Sequence, residues 1–319
     1  MKGMTYSEAI KQGFKVANRN WQLVLVRIAL TVLSCIGFFF IVAIPLVIAL
    51  LIIGISPVFL SRIESSPDIL LTQYFGIVIV GGLLLLIYIL IVSSVGLYAF
   101  AAAAGTIART VRDESQKFSM KVFFEEGKRL FSPMLGFVSI MGLFAIGIIL
   151  FYGASGALVA VAITYAKSQS LSLSMFLGVF FALIGVIAGF FIFFGLLSLT
   201  VYGLAAISLK GSRPVAAVKE TINYLLKNPS AFYLYAIMAS FYIIFSLILA
   251  LAGLPLKAVP FIGLILSLPY QLLIYALQGY AGLLILAAAF VYYYQTELSS
   301  LTEDSGATEV IEITEGEAL

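Results

Sequence analysis

The chain has 319 residues, 62% of them hydrophobic and only 10% charged, with a formal net charge of +3 and a mean hydropathy of +1.14. Soluble domains carry roughly 25% charged residues, so this apolar excess excludes a water-soluble globule and makes lipid the solvent. The lack of histidine and the single cysteine, Cys35, remove the commonest general base and metal ligand and any disulfide framework or thiolate metal site within one chain.

Residues 1–20 are polar and mixed in charge, without the short apolar core of a cleaved signal, so the first span is expected to serve as the insertion signal. Thr5 and Glu8 stand in capping-box spacing. Ile10, Phe14 and Ala17 then fall on one face of a helix expected to end between Asn18 and Trp21. Apolar runs follow at Leu23 to Ile55, Phe75 to Ile107, Met134 to Ala166, Leu171 to Leu209, Ala231 to Leu256 and Ile262 to Tyr294. A hydrocarbon core of roughly 30 Å needs about 20 helical residues, so each run is long enough to span. The first reads as one long helix bent near Pro45, because two spans would leave nothing for a turn. Continuous apolar runs, with no alternation, exclude a β-barrel.

Between spans two and three, Phe123, Phe124, Leu130 and Phe131 share one side of a second surface helix, expected to stop at Ser132-Pro133. Between spans four and five, Val215, Val218, Ile222 and Leu225 make a third, expected to stop at Asn228-Pro229. Gly96, Gly195 and Gly279 each open a small-residue and aromatic stretch leading out of a span. The fold expected is therefore all-α and polytopic: about six transmembrane helices as three hairpins, each preceded by a cytoplasmic amphipathic helix. One transmembrane domain is expected over residues 1–300, with repeats at 5–108, 117–210 and 213–298. The acidic segment 301–319 reads as a disordered cytoplasmic tail.

Charge sets the expected orientation. Fifteen lysines and arginines precede or open the first span or lie in the two long inter-span segments, against three in the opposite loops, Arg62, Lys167 and Lys257. The positive-inside rule then places both termini in the cytoplasm, in the plasma (inner) membrane of a prokaryote.

Intramembrane ionisable groups mark proton and ion pathways, and the six span centres have none; Arg27, close to a span end, can reach the headgroups. Serines and threonines such as Ser34, Ser94, Ser139 and Thr200 are expected to bond between helices. Gln271 and Gln278, two turns apart on one face with Tyr275 close by, are the candidate intramembrane polar site. Tyr292, Tyr293 and Tyr294 fit an interfacial aromatic belt. Lys11, Lys15, Arg19, Lys121, Lys128, Arg129, Lys219 and Lys227 are the candidate contacts for lipid headgroups. Glu125 and Glu126, adjacent on a helix, point about 100° apart and cannot act as a catalytic pair with each other.

The segment Phe118 to Phe131 before Pro133, the segment Ala216 to Leu226 before Pro229, and the closing run Ala287 to Leu298 with its Tyr-Tyr-Gln-Thr-Glu-Leu end together resemble the membrane domain fused to some glycerophosphoryl diester phosphodiesterases, and related free-standing polytopic proteins. At Gln295 to Leu298 the chain departs from the acidic, aliphatic and arginine ending frequent in that group. The resemblance implies a multi-span module only, since the phosphodiesterase barrel and its catalytic histidines are missing. No enzymatic activity and no cofactor are expected, and nucleic acid is not an expected partner. The expected function is a non-enzymatic integral membrane module, a lipid-associated accessory or scaffold whose partners are membrane lipids and a protein the sequence does not identify. The alternative is a passive pore or transporter for an uncharged small solute.

Overall fold

The computed structural model describes residues 4–52, 75–257 and 262–298, and in these every regular element is a helix. Arg62 and the acidic segment 301–319 lie outside the described residues. Helix α1 is Tyr6–Arg19; α2, Gln22–Phe38, passes through a π-helical turn at Phe39–Ala43 into α3, Ile44–Ile52. Then come α4, Phe75–Arg112; α5, Met120–Gln169; α6, Leu171–Ala205, extended by a π turn at Ala206–Lys210; and α7, Pro214–Lys227. The chain continues with α8, Pro229–Ala252; α9, Leu254–Lys257; and α10, Ile262–Tyr293, extended by a π turn at Tyr294–Leu298. Six of these helical stretches are long and apolar enough to cross a membrane, and the protein is an all-α polytopic membrane protein.

Internal contacts divide the chain into two compact units, Gln22–Phe100 and Met1–Trp21 with Ala101–Leu319. In the first unit, the α2–α3 stretch is one apolar rod, and its π turn falls just ahead of Pro45. Proline has no N–H and its ring crowds the carbonyl four residues back, so a widened turn there removes the conflict without breaking the helix. Tyr88 Oη donates to the Ser34 carbonyl at 3.0 Å, and the Tyr88 ring meets Phe38 edge-on at 5.4 Å.

In the second unit, α5 runs unbroken through Pro133 for 50 residues, roughly 75 Å at 1.5 Å per residue. The expected stop at Ser132-Pro133 does not occur. Leu130, Met134 and Phe137 are all buried around the proline, and this packing outweighs the lost hydrogen bond. At the third surface helix the break is real: α7 ends at Lys227, Asn228 leaves helical geometry (φ −123°, ψ 72°), and Pro229 opens α8. Ser170 alone joins α5 to α6. Gly211, at φ +77°, turns α6 back toward α7 in the left-handed region that side chains avoid.

Buried side chains of this unit concentrate where the last turns of α4, α6 and α10 meet α1, the start of α5, and α7. Three of its described glycines permit close approaches between helices. A Cβ at Gly13 would lie 2.6 Å from the Ala288 Cα, and one at Gly105 would lie 2.6 Å from the Glu126 Cβ; at Gly203 it would collide with the Phe137 ring. Span hydroxyls bond along their own helices: Ser34, Ser94, Ser139 and Thr200 donate to the carbonyls four residues back. The expected interhelical bonds from these four groups are absent, because the preceding turn offers an acceptor at no cost in helix separation.

Candidate functional site: a basic recess beside the first helix

The first surface helix is pinned at both ends. At its start the Thr5 side chain accepts from the Glu8 N–H, while the Glu8 carboxylate accepts from the Thr5 N–H at 2.9 Å, closing the capping box. The Thr5 backbone N–H first, and then the Thr5 hydroxyl, which donates to the same carboxylate at 2.8 Å, hold the Glu8 carboxyl below its ordinary range. At its end, fully buried Asn20 donates Nδ2 to the Val16 carbonyl at 2.9 Å and to Thr110 Oγ1 at 3.1 Å, which ties α1 to the end of α4.

The buried side of α1 is made of small residues, Ala9, Gly13, Val16 and Ala17. Of the three residues placed on one face by their spacing, Ala17 is buried, while Ile10 is 37% exposed and Phe14 50%. Beyond α1, too, apolar side chains are divided between buried and exposed positions. In α5 Phe123 and Leu130 are buried but Phe124 is exposed; in α7 Ala217, Val218, Thr221 and Tyr224 are buried, while Val215 and Ile222 are exposed. Periodicity finds an apolar stripe but cannot say which of two apolar surroundings, protein or lipid, will receive it.

All eight candidate headgroup residues are exposed: Lys11, Lys15, Arg19, Lys121, Lys128, Arg129, Lys219 and Lys227. Lys15 and Arg19 are brought together. With Arg112 from α4 and Glu114 just beyond it, they line a recess of about 240 Å³ between α1 and the last turns of α4 and α10. Its rim is tied by Gln295 Nε2, which donates to Gln12 Oε1 at 3.1 Å. The Arg112 guanidinium donates to the Leu209 carbonyl. Arg19 and Glu114 approach only to 3.9 Å, and Glu114 is 77% exposed, so this pair neutralises little.

Two neighbouring junctions are built differently. Where α5 crosses the end of α4, buried Glu126 lies 3.2 Å from Arg109 Nε and 2.5 Å from Arg129 Nη2, the latter a charge contact without hydrogen-bond alignment. Where α7 meets α6 and α10, Lys210 Nζ is 3.2 Å from Glu297 and 3.9 Å from Glu220. Beside that pair, the rings of Tyr202, Tyr224 and Tyr293 cluster, with Tyr224 and Tyr293 centroids 4.8 Å apart. Tyr202 Oη donates to the Ala231 carbonyl at 2.9 Å, and burial pushes the Tyr224 phenol well up. Tyr292 and Tyr293 are thus core residues, not an interfacial belt; only Tyr294 of the three is partly exposed.

Gln271 and Tyr275 are exposed and Gln278 is partly buried, all on α10, and none of them lines the basic recess. A wholly apolar groove of about 490 Å³ between α5 and α6, lined by Ile140, Phe144, Phe151 and Ile192 among others, does not include them either. Among the described residues no cluster of three or more acidic or cysteine side chains is gathered for a metal ion. Arg112 was invisible to sequence reasoning as a site residue, since its place depends on α1 and α10 reaching the end of α4. Compared with protein-family models, with curated proteins and with solved structures, the chain matches none.

Proposed function

We propose that this protein is a non-enzymatic membrane module that works on or beside lipid, holding anionic headgroups along three surface helices as an accessory or scaffold for a protein partner. One observation carries the reading: on α1, the start of α5, and α7, exposed apolar side chains stand beside exposed lysines, as at Phe14 with Lys15, Phe124 with Lys121, and Ile222 with Lys219. Such a surface suits the boundary between headgroups and acyl chains, where each lysine or arginine near anionic lipid contributes roughly 1 kcal/mol. In this reading the three helices lie on the cytoplasmic face of a prokaryotic inner membrane, both termini are cytoplasmic, and the three helix-plus-hairpin segments are repeats. Kinship with the membrane domain fused to phosphodiesterases belongs to the same proposal.

The single tryptophan supplies the test. Trp21 is 46% exposed and directly follows α1 and Asn20. In nanodiscs mixing anionic and neutral lipids, its fluorescence should be quenched more when the anionic species carries the bromine than when the neutral one does at equal mole fraction. Equal quenching would show no enrichment of anionic lipid beside α1 and would remove the proposal.

A further inference from the structure

We infer that the recess formed by α1 and the last turns of α4 and α10 is a binding site for a single phosphate group. The inference rests on the lipid-associated reading above but makes a sharper claim, a discrete site in place of a general attraction.

Charge is balanced differently at three junctions of the same unit. At the junction of α4 with α5, two arginines face two carboxylates: Arg109 and Arg129 are paired by Glu126, and Glu125 lies 3.9 Å from Arg109. At the junction of α6 with α7, one lysine, Lys210, faces Glu220 and Glu297. Both junctions neutralise the cations drawn into them. Around α1 the balance differs: Lys15, Arg19 and Arg112 line the recess against Glu114 alone, which is loosely paired and mostly in solvent. Among the described residues Lys15 has no carboxylate within ion-pair distance.

Three cations, all reached by solvent, line this concavity against one loosely paired carboxylate, so its field favours an anion, and 240 Å³ leaves room for one. Two of the three are arginines, whose planar forks match phosphate oxygens with paired donors, and Lys15 adds a mobile point charge. The walls are fixed before any ligand arrives. Asn20 holds α1 to Thr110, Gln12 is bonded to Gln295, and the Arg112 guanidinium is oriented by the Leu209 carbonyl. Preorganisation of this kind separates a site from a patch, because little ordering remains to be done on binding.

The test uses full-length protein in nanodiscs of phosphatidylcholine, with dihexanoyl phosphatidate as the probe, dihexanoyl phosphatidylcholine as the neutral control, and Trp21 emission as the readout. Phosphatidate should bind saturably and more tightly than the control. Lys15→Gln should raise its Kd about fivefold, as loss of one interfacial cation implies. Glu114→Gln should lower it by a similar factor, a gain that a misfolded variant could not produce. Competition by inorganic phosphate assigns recognition to the phosphate itself; failure of millimolar phosphate to compete, with the two charge effects intact, assigns it to the phosphate within a lipid headgroup. Equal binding of phosphatidate and phosphatidylcholine overturns the site, as does a Kd unchanged in both Lys15→Gln and Glu114→Gln. Lys219→Gln, outside the recess, keeps the two claims apart. Preferential quenching of Trp21 by brominated anionic lipid can survive loss of the site, in which case only the recess falls.

Discussion

At the scale of single residues, the close backbone approach of α1 to α10 depends on a glycine hydrogen in place of a side chain. Because a Cβ on Gly13 would meet the Cα, N and Cβ of Ala288 at 2.6 to 2.7 Å, Gly13→Val must push α1 off α10. We expect a loss of about 1–3 kcal/mol, the usual cost of overpacking, seen as a lower midpoint in detergent unfolding. Gly37→Ala, where nothing lies within 4 Å, is the matched control and should not lower it. Glu126 is the only described carboxylate with less than a tenth of its surface exposed. Glu126→Gln leaves Arg109 and Arg129 facing each other, and since both heads are about half exposed the cost should be about 1–2 kcal/mol, below that of a fully buried pair. Glu8 gives a pH signature. Its folded-state pKa lies below the unfolded one, so the capping box stabilises α1 at pH above the ordinary glutamate value, about 4.3, and that contribution is lost as pH falls through the lowered value. Amide exchange in the first turn of α1 should therefore rise on acidification, and Glu8→Gln should show no such dependence.

At the scale of elements, the positions of the spans were legible because hydropathy runs of this length have one physical outcome in lipid. Helix ends were less legible. Pro229 and Pro133 obey the same local rule, yet only the first separates two helices, because Leu130, Met134 and Phe137 pack continuously past the second. Pro133→Ala should therefore leave the helical content unchanged by circular dichroism. Gly211→Ala should cost about 1–2 kcal/mol by forcing a side chain into the left-handed region, with the reversal from α6 to α7 as the part that fails. The surface helices taught the opposite lesson. Their existence and the Thr5 cap could be read from spacing, but their packed faces could not, since α1 buries mainly alanine and glycine and turns Ile10 and Phe14 outward, while α7 buries Tyr224 and Thr221 and turns Val215 and Ile222 outward. Of the recess, Lys15 and Arg19 were legible as basic residues near a span; Arg112 and Glu114 were not, because they join the site through contacts about a hundred positions away in sequence.

At the scale of the whole molecule, orientation is the claim with the widest consequences. In a Cys35→Ala background, cysteines placed at Lys121 and Lys219 should react with a membrane-impermeant maleimide only when the cytoplasmic side is opened, and one at Lys167 should react from the other side. Labelling of Lys121→Cys or Lys219→Cys from outside would reverse the assignment of the surface helices. The seating of α1 on α10 also fixes an order of events. Some 270 residues separate Gly13 from its contact at Ala288, so at a synthesis rate of about 5–20 residues per second the leading helix waits for tens of seconds before its berth exists. During that interval the small-residue face of α1 around Gly13 lacks its α10 partner, and the Asn20–Thr110 tie to α4 is the contact already in place. A nascent chain halted before α10 should accordingly leave this first helix open to protease, and resistance should appear only as the final span is completed.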